Sequence, residues 1–484
     1  MYELAFSHPS AALANPWAQV TVSVTFTSPS RTFTVGGFYY DTNTWKARVA
    51  PDQLGIWSWQ ATLQDSQQGN ATFSGSFEVI DTGEPGFLRV NPSNPRRLVM
   101  SNGRPYTPVG FNDCMPDRLT PSCCEPRTRH GVPWPFSAMG FDGDFRWPTG
   151  CTTPIAACWG GTFACPRADC PVGDTGCCSP TDACCQANGW STDIETYLTA
   201  YGAAGFNLFR WGSDNCSFGL FQTIDPAGNV YKLTEGQWAD ELFRRLRAHG
   251  FRVFMTMWLS PAFSFPTPSQ QAAEIAYANY VVDRYGAYID LFEIFNEGSP
   301  DPTFENWMSA AIKARDPYGH FVTMSYPDPA NPSYIDVTSP HWYSDDPLLS
   351  ADQATVSEIS NWPTNKPLIF GEAGGANENW SPQTRERMRK KMWTALFNEA
   401  TLVFWNSTYA KDNASNPANQ YIGPQERADT RVWSTFASAL DVDTVMASTS
   451  TSANLRPMVS RAPLTLGHTW STLPTTRIRR PGEP

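Results

Sequence analysis

The chain has 484 residues, 41% of them hydrophobic and 17% charged, with a formal net charge of −11. That length exceeds one ordinary domain, and the composition excludes a disordered or fibrous chain. The acidic balance excludes a nucleic-acid or acidic-membrane partner, because phosphates demand a basic face. No run of about 18 apolar residues is present, so no membrane-spanning helix is expected. A monomer is expected.

Residues 1–82 read as β structure. The segments 20–26, 32–40, 44–50, 56–63 and 72–80 alternate apolar and polar residues, with turn residues between them. That pattern predicts a small Ig-like β-sandwich. The stretch 81–86 (DTGEPG) reads as a linker.

From residue 87 the rhythm becomes strand, loop, helix. The strands are short apolar runs, as expected where a parallel strand is buried on both faces. They fall at 105–112, 207–211, 252–258, 288–297, 321–326, 336–343, 366–373 and 401–406. Helical patterns at 191–205, 235–250, 269–286, 303–316 and 381–400 lie between them. Eight strands alternating with helices predict an α/β fold, a (β/α)₈ TIM barrel spanning 87–440.

Two segments break the rhythm. Residues 113–190 form a Cys-, Pro- and Gly-rich insertion after the first barrel strand, and all twelve cysteines fall between Cys114 and Cys216. An even count in one block reads as a disulfide framework, hence a secreted or periplasmic setting, although Met1 leads directly into YELAF without a leader pattern. No Cys-x-x-Cys or His pair at zinc spacing occurs. The tail 441–484 is poor in apolar residues and is expected to be disordered or a remnant.

Reactive groups of such a barrel sit at the C-terminal strand ends. Those ends carry Asn112, Arg210, Trp211, Trp258, Asn296, Glu297, His341, Tyr343, Glu372 and Trp405. Two carboxylates with several Trp residues and one Arg at a single mouth suit cleavage of a glycosidic bond, where one carboxyl protonates the leaving oxygen and the other supports the anomeric carbon. An aromatic content of 13%, with 19 Trp, fits a sugar ligand as well as a large core. Trp342 and Trp380 are further cleft candidates.

The segments IFNEG (294–298) and IFGEAGG (369–375), with Arg210, HWY (341–343) and Trp405, resemble glycoside hydrolase clan A, especially family 5. GGFYY, KARVAP and GIWSW resemble the Ig-like domain of unknown function 5060 that precedes such barrels. The resemblance implies a retaining glycoside hydrolase without cofactor or metal, acting on an oligo- or polysaccharide. It implies Glu297 as acid/base and Glu372 as nucleophile, the latter kept ionised by Arg210 and Tyr343. Asn296 would bond the sugar 2-OH, and His341, Trp405, Trp258 and Trp211 would contact substrate. Gly298 and Trp258 depart from the family, which commonly has Pro and His there. Endo action on a β-linked polysaccharide is the expectation. An exo-glycosidase, a transglycosylase or a non-catalytic carbohydrate-binding barrel are the alternatives.

Overall fold

The structure, a computed structural model, describes residues 1–484 except 66, 68, 113–136, 139–191, 214–218, 259–261, 264, 265, 298–301, 326–331, 345–349, 375–383, 406–421, 423, 441–444, 449–457 and 462–484. The Cys-rich insertion and every cysteine therefore lie outside the described residues, apart from the short strand 137–138 inside the insertion.

The N-terminal domain has six strands: β1 (Tyr2–Ser7), β2 (Val20–Thr27), β3 (Thr32–Asp41), β4 (Thr44–Val49), β5 (Gly55–Asp65) and β6 (Gly69–Val79). All pair antiparallel in one sheet, in the order β1-β4-β3-β2-β5-β6. This differs from the two separate sheets of an Ig-like sandwich. The cause lies in β3, whose residues 32–36 pair with β2 while 37–41 pair with β4. Gly37 permits the change of partner, since a Cβ there would stand 2.6 Å from Val22 Cβ and 2.8 Å from the Lys46 carbonyl. The curled sheet closes on one core, with Val22, Val24 and Phe26 of β2, Trp45 and Ala47 of β4, and Trp57 and Leu63 of β5. β1 escaped the sequence reading.

The larger domain is a parallel sheet of eight strands: β10 (Gly110–Asn112), β11 (Leu208–Gly212), β12 (Arg252–Trp258), β13 (Leu291–Phe295), β14 (Phe321–Thr323), β15 (His341–Tyr343), β16 (Leu368–Gly374) and β17 (Ala400–Phe404). Their order, β14-β13-β12-β11-β10-β17-β16-β15, is that of a ring with its seam between the fifth and sixth strands. Across the seam Asp336 N donates to the Val322 carbonyl at 2.9 Å and Thr323 Oγ1 to the Val337 carbonyl at 2.6 Å. Helices α1 (Ile194–Ala203), α2 (Leu233–Ala248), α3 (Pro268–Tyr285), α4 (Pro302–Arg315), α5 (Ala351–Ser360), α6 (Thr384–Phe397) and α7 (Pro424–Ser438) alternate with the strands. α3 starts on a capping box of Thr267 and Gln270, which satisfies its first free N–H groups. α5 and α7 were not among the expected helices; α5 carries weak apolar periodicity, whereas that of α7 is clear and was passed over.

Strand side chains alternate between the barrel interior and the surrounding helices. The lower interior is apolar, with Leu208, Phe254, Leu291, Phe321, Val337, Ile369 and Val403 in one cluster. A hairpin of β7 (Leu88–Asn91) and β8 (Asn94–Met100), extended by β9 (Pro105–Tyr106), adds Leu88, Leu98 and Met100 to it from below. Two residues further along the same strands the interior turns polar, and the site begins there. Within the tail, β18 (Val445–Ser448) and β19 (Met458–Arg461) pair antiparallel where a structureless segment is the expectation.

The two domains meet through buried charge. Arg48 of β4 is 3% exposed and donates from Nη1 to Asp240 Oδ1 at 2.5 Å and to the Arg284 carbonyl at 2.8 Å. Arg284 closes the group by donating to the same carboxylate at 3.1 and 2.8 Å. Gly36 N donates to Asp283, which pairs with Arg315, and a Cβ on Gly36 would fall 1.9 Å from that guanidinium. Burial opposes ionisation of Asp240, yet Arg284 and Arg48 outweigh it and hold its carboxyl below the ordinary aspartate value of 3.8. A depressed folded pKa adds stability that is present above 3.8 and lost as pH falls through the folded value. Replacing Arg48 by Met leaves Asp240 half-paired and should cost about 3–5 kcal/mol in equilibrium unfolding. A change under about 1 kcal/mol would show that docking does not depend on this group.

Candidate active site

The polar layer follows from strand alternation. Leu208 faces the interior, so Arg210 does too; Phe254 leads to Thr256, Leu291 to Glu293, and Phe321 to Thr323 and Ser325. β16 adds one irregularity. Its register against β17 shifts between Phe370 and Ala373, which turns Glu372 inward beside Gly371. Gly371 must lack a side chain, because a Cβ would lie 2.7 Å from Ser339 Oγ and 3.4 Å from the His341 ring.

Arg210 is 2% exposed and ties the layer together. Its Nε donates to Glu293 Oε2 at 3.0 Å and its Nη2 to the same oxygen at 2.5 Å. Nη2 also donates to Asn296 Oδ1 at 2.7 Å, while Nη1 donates to Glu372 Oε1 at 2.6 Å and Asn112 Oδ1 at 2.8 Å. Burial alone would lower the guanidinium pKa, but Glu293 and Glu372 hold it above its ordinary value. Glu293 itself is fully buried and receives further bonds from Thr256 Oγ1 and, at 2.8 Å, from Ser325 Oγ.

Glu372 and Glu297 occupy contrasting surroundings. The Glu372 side chain is 4% exposed; Arg210 holds Oε1, and the Tyr343 hydroxyl donates to Oε2. Burial first, then the Glu372 charge and their hydrogen bond, push the Tyr343 hydroxyl far above its usual range, so it remains a donor. The Glu297 side chain is 40% exposed at the mouth, and its Oε1 lies 2.8 Å from His341 Nδ1. Glu297 adopts φ +46°, a left-handed conformation that costs a non-glycine residue about 1–2 kcal/mol. It stands two residues beyond the end of β13, and the unusual turn there sets its carboxylate against His341 of β15. His341 Nδ1 also stands 3.6 Å from Glu372 Oε2. One ligand-capable atom from each of Glu297, His341 and Glu372 lies within 4.8 Å of the others. That trio could hold a divalent cation, although here its atoms bond to one another, to Arg210 and to Tyr343.

The structure thus brings Arg210, Asn296, Glu297, His341, Tyr343 and Glu372 to one mouth. Trp405 is 8% exposed, and its backbone N donates to the Ala373 carbonyl at 2.9 Å, beside Glu372. Trp211 does not join them. It is fully buried and edge-on to Phe243 of α2, because the residue after an inward-facing Arg210 must face the helices. Trp342 faces outward for the same reason, packed on Phe370 with the Lys391 ammonium 4.3 Å above its ring. Trp258 ends β12, but its side chain, like all of Trp380, lies outside the described residues. Sequence reading missed Glu293, Thr256 and Ser325. The available signal for Glu293 was a carboxylate inside an otherwise apolar strand, LFEIF, where an unpaired charge is not tolerated.

Residues 1–64 match the profile of a domain of unknown function, DUF5060. No curated protein matches the sequence. Among solved structures, a protein of Bacteroides vulgatus provisionally described as a glycoside hydrolase is 14% identical with a TM-score of 0.57, over 92% of this chain and 80% of that one. An exo-β-1,4-mannosidase from an Opitutaceae bacterium is 14% identical over 75% of this chain and 63% of that one, with a TM-score of 0.43. A Bacteroides ovatus xyloglucanase is 12% identical over 90% and 96%, with a TM-score of 0.39. The first of these shows that the barrel with its preceding β domain is an established arrangement.

Glu293→Gln would turn an amide NH₂ toward Arg210 or Ser325 and remove the charge that balances the guanidinium. A loss of about 3–5 kcal/mol in urea unfolding is expected. Wild-type stability would mean that Arg210 is balanced elsewhere.

Proposed function

We propose that the chain is a glycoside hydrolase that cleaves with retention of configuration, with Glu372 as nucleophile and Glu297 as acid/base. The observation that carries this reading is the carboxylate pair. Oxygen atoms of Glu297 and Glu372 lie within 4.8 Å of each other, held by different strands. Retaining enzymes separate their carboxyl groups by about 5–5.5 Å, and inverting ones by about 6.5–9.5 Å, to admit a water. The fold shared with a provisionally described glycoside hydrolase is consistent with it.

In the first step Glu372 attacks the anomeric carbon while Glu297 gives its proton to the departing oxygen, leaving a covalent glycosyl ester. Then Glu297 takes a proton from water, whose oxygen attacks the same carbon and releases Glu372. The surroundings fit these roles. Arg210 and Tyr343 both donate to Glu372, which holds the carboxylate in one aim. When Glu372 loses its charge in the ester, Glu293 still balances Arg210. Asn296 Oδ1 is engaged by Arg210, so its NH₂ is available for a sugar hydroxyl near the anomeric carbon. Glu297, half open to solvent, can pass its proton to a leaving group and later take one back from water.

The substrate we infer is a β-linked oligo- or polysaccharide cut internally. Digestion of a glycan panel tests this, with anomeric configuration followed by NMR in the first minutes. Glu297→Gln should lower turnover about 10²–10⁴-fold on unactivated substrates. Glu372→Gln should lose the covalent step altogether. Wild-type rates in both variants would end the assignment, and an inverted first product would remove Glu372 as nucleophile. Release of only single sugars from chain ends would replace internal cutting by exo action.

A further inference from the structure

We infer that Ser325 is a positioning residue that fixes the tautomer of His341 and so holds the shared proton on the Glu297–His341 pair. The inference rests on the reading of Glu297 as acid/base, and it follows from donor bookkeeping along one buried chain. Glu293 stands at one end. As a carboxylate bonded by Arg210 and Thr256 it can only accept, so the Ser325 hydroxyl 2.8 Å away must give it its hydrogen. Ser325 Oγ then has only lone pairs to offer His341 Nε2, which lies at 2.9 Å, so Nε2 carries a hydrogen. Both Ser325 and Glu293 are fully buried, so water does not enter this exchange.

The remaining nitrogen, Nδ1, lies 2.8 Å from Glu297 Oε1 with one proton between them. Removing that proton would set a bare Nδ1 lone pair against a carboxylate, with Glu372 Oε2 a further 3.6 Å from the same nitrogen. Loss of the proton is therefore resisted, and Glu297 stays armed as an acid. If Ser325 could not accept from Nε2, the ring could move its hydrogen to Nδ1 and donate to the Glu297 carboxylate. The proton would then leave more easily. Among the described residues, the groups facing His341 include Glu297 beyond β13, Glu372 on β16 and Tyr343 on its own strand, with Glu293 and Arg210 behind Ser325.

Two measurements test this. In the wild-type protein, ¹⁵N-detected couplings should show the neutral His341 ring with its hydrogen on Nε2; a hydrogen on Nδ1 overturns the inference, whatever the enzyme hydrolyses. In kinetics, Ser325→Ala should move the alkaline limb of kcat/KM to lower pH by about one unit, the worth of one hydrogen bond. Ser325→Thr, which keeps the hydroxyl, should restore it. An aryl glycoside whose leaving group needs no proton should show the Ser325→Ala loss much reduced. An unmoved limb in folded Ser325→Ala overturns the inference, whereas a wild type that cleaves no glycoside removes only the functional reading, and the tautomer is still decided by NMR.

Discussion

One buried guanidinium, that of Arg210, satisfies four side chains that reach it from three strands or their ends: Glu293, Glu372, Asn112 and Asn296. A cation in a closed interior needs this degree of pairing, because a stranded charge costs several kcal/mol. The arrangement has a structural side and a chemical one. Glu293 also pairs with Arg210, so under the proposed mechanism Glu372 could be esterified without leaving the guanidinium unpaired. Glu293, Thr256 and Ser325 thus belong to the site as much as the residues at its surface, although they lie deeper in the barrel.

Much of the fold was legible because its signals are local. The barrel strands are short apolar runs, and all eight end within three residues of where patterning puts them. The first strand is shorter than its sequence suggests, because 105–106 pair instead with the hairpin beneath the barrel. That hairpin has no distinctive periodicity, since it is held by the barrel floor it covers. β1 is similar: its partner β4 lies some forty residues away, and only that pairing makes it a strand. Within the site, position along a strand decided more than residue type. Arg210 and Trp211 are adjacent, and in a strand without a bulge two neighbours cannot both face inward. Alternation alone separates the side chain at the mouth from the one in the core, and it does the same for His341 and Trp342.

The β domain is joined to the barrel by interactions that are neither loose nor generic. Arg48 reaches two barrel helices, and Gly36 brings backbone against an ion pair that a methyl group would displace. Both residues lie in the segment that matches the domain profile. Contacts of this kind fix the orientation of the two domains as firmly as a linker cannot, and they leave the mouth of the barrel, on the far end of the strands, untouched.

The left-handed backbone at Glu297 carries a consequence for any attempt to harden this protein. Glycine or asparagine would sit more comfortably there, so replacements that relax the chain are the ones that erase the proposed proton donor. Selection for heat resistance and selection for turnover would pull that single codon in opposite directions. Its retention of glutamate would therefore mark a lineage in which chemistry, rather than durability, was being kept.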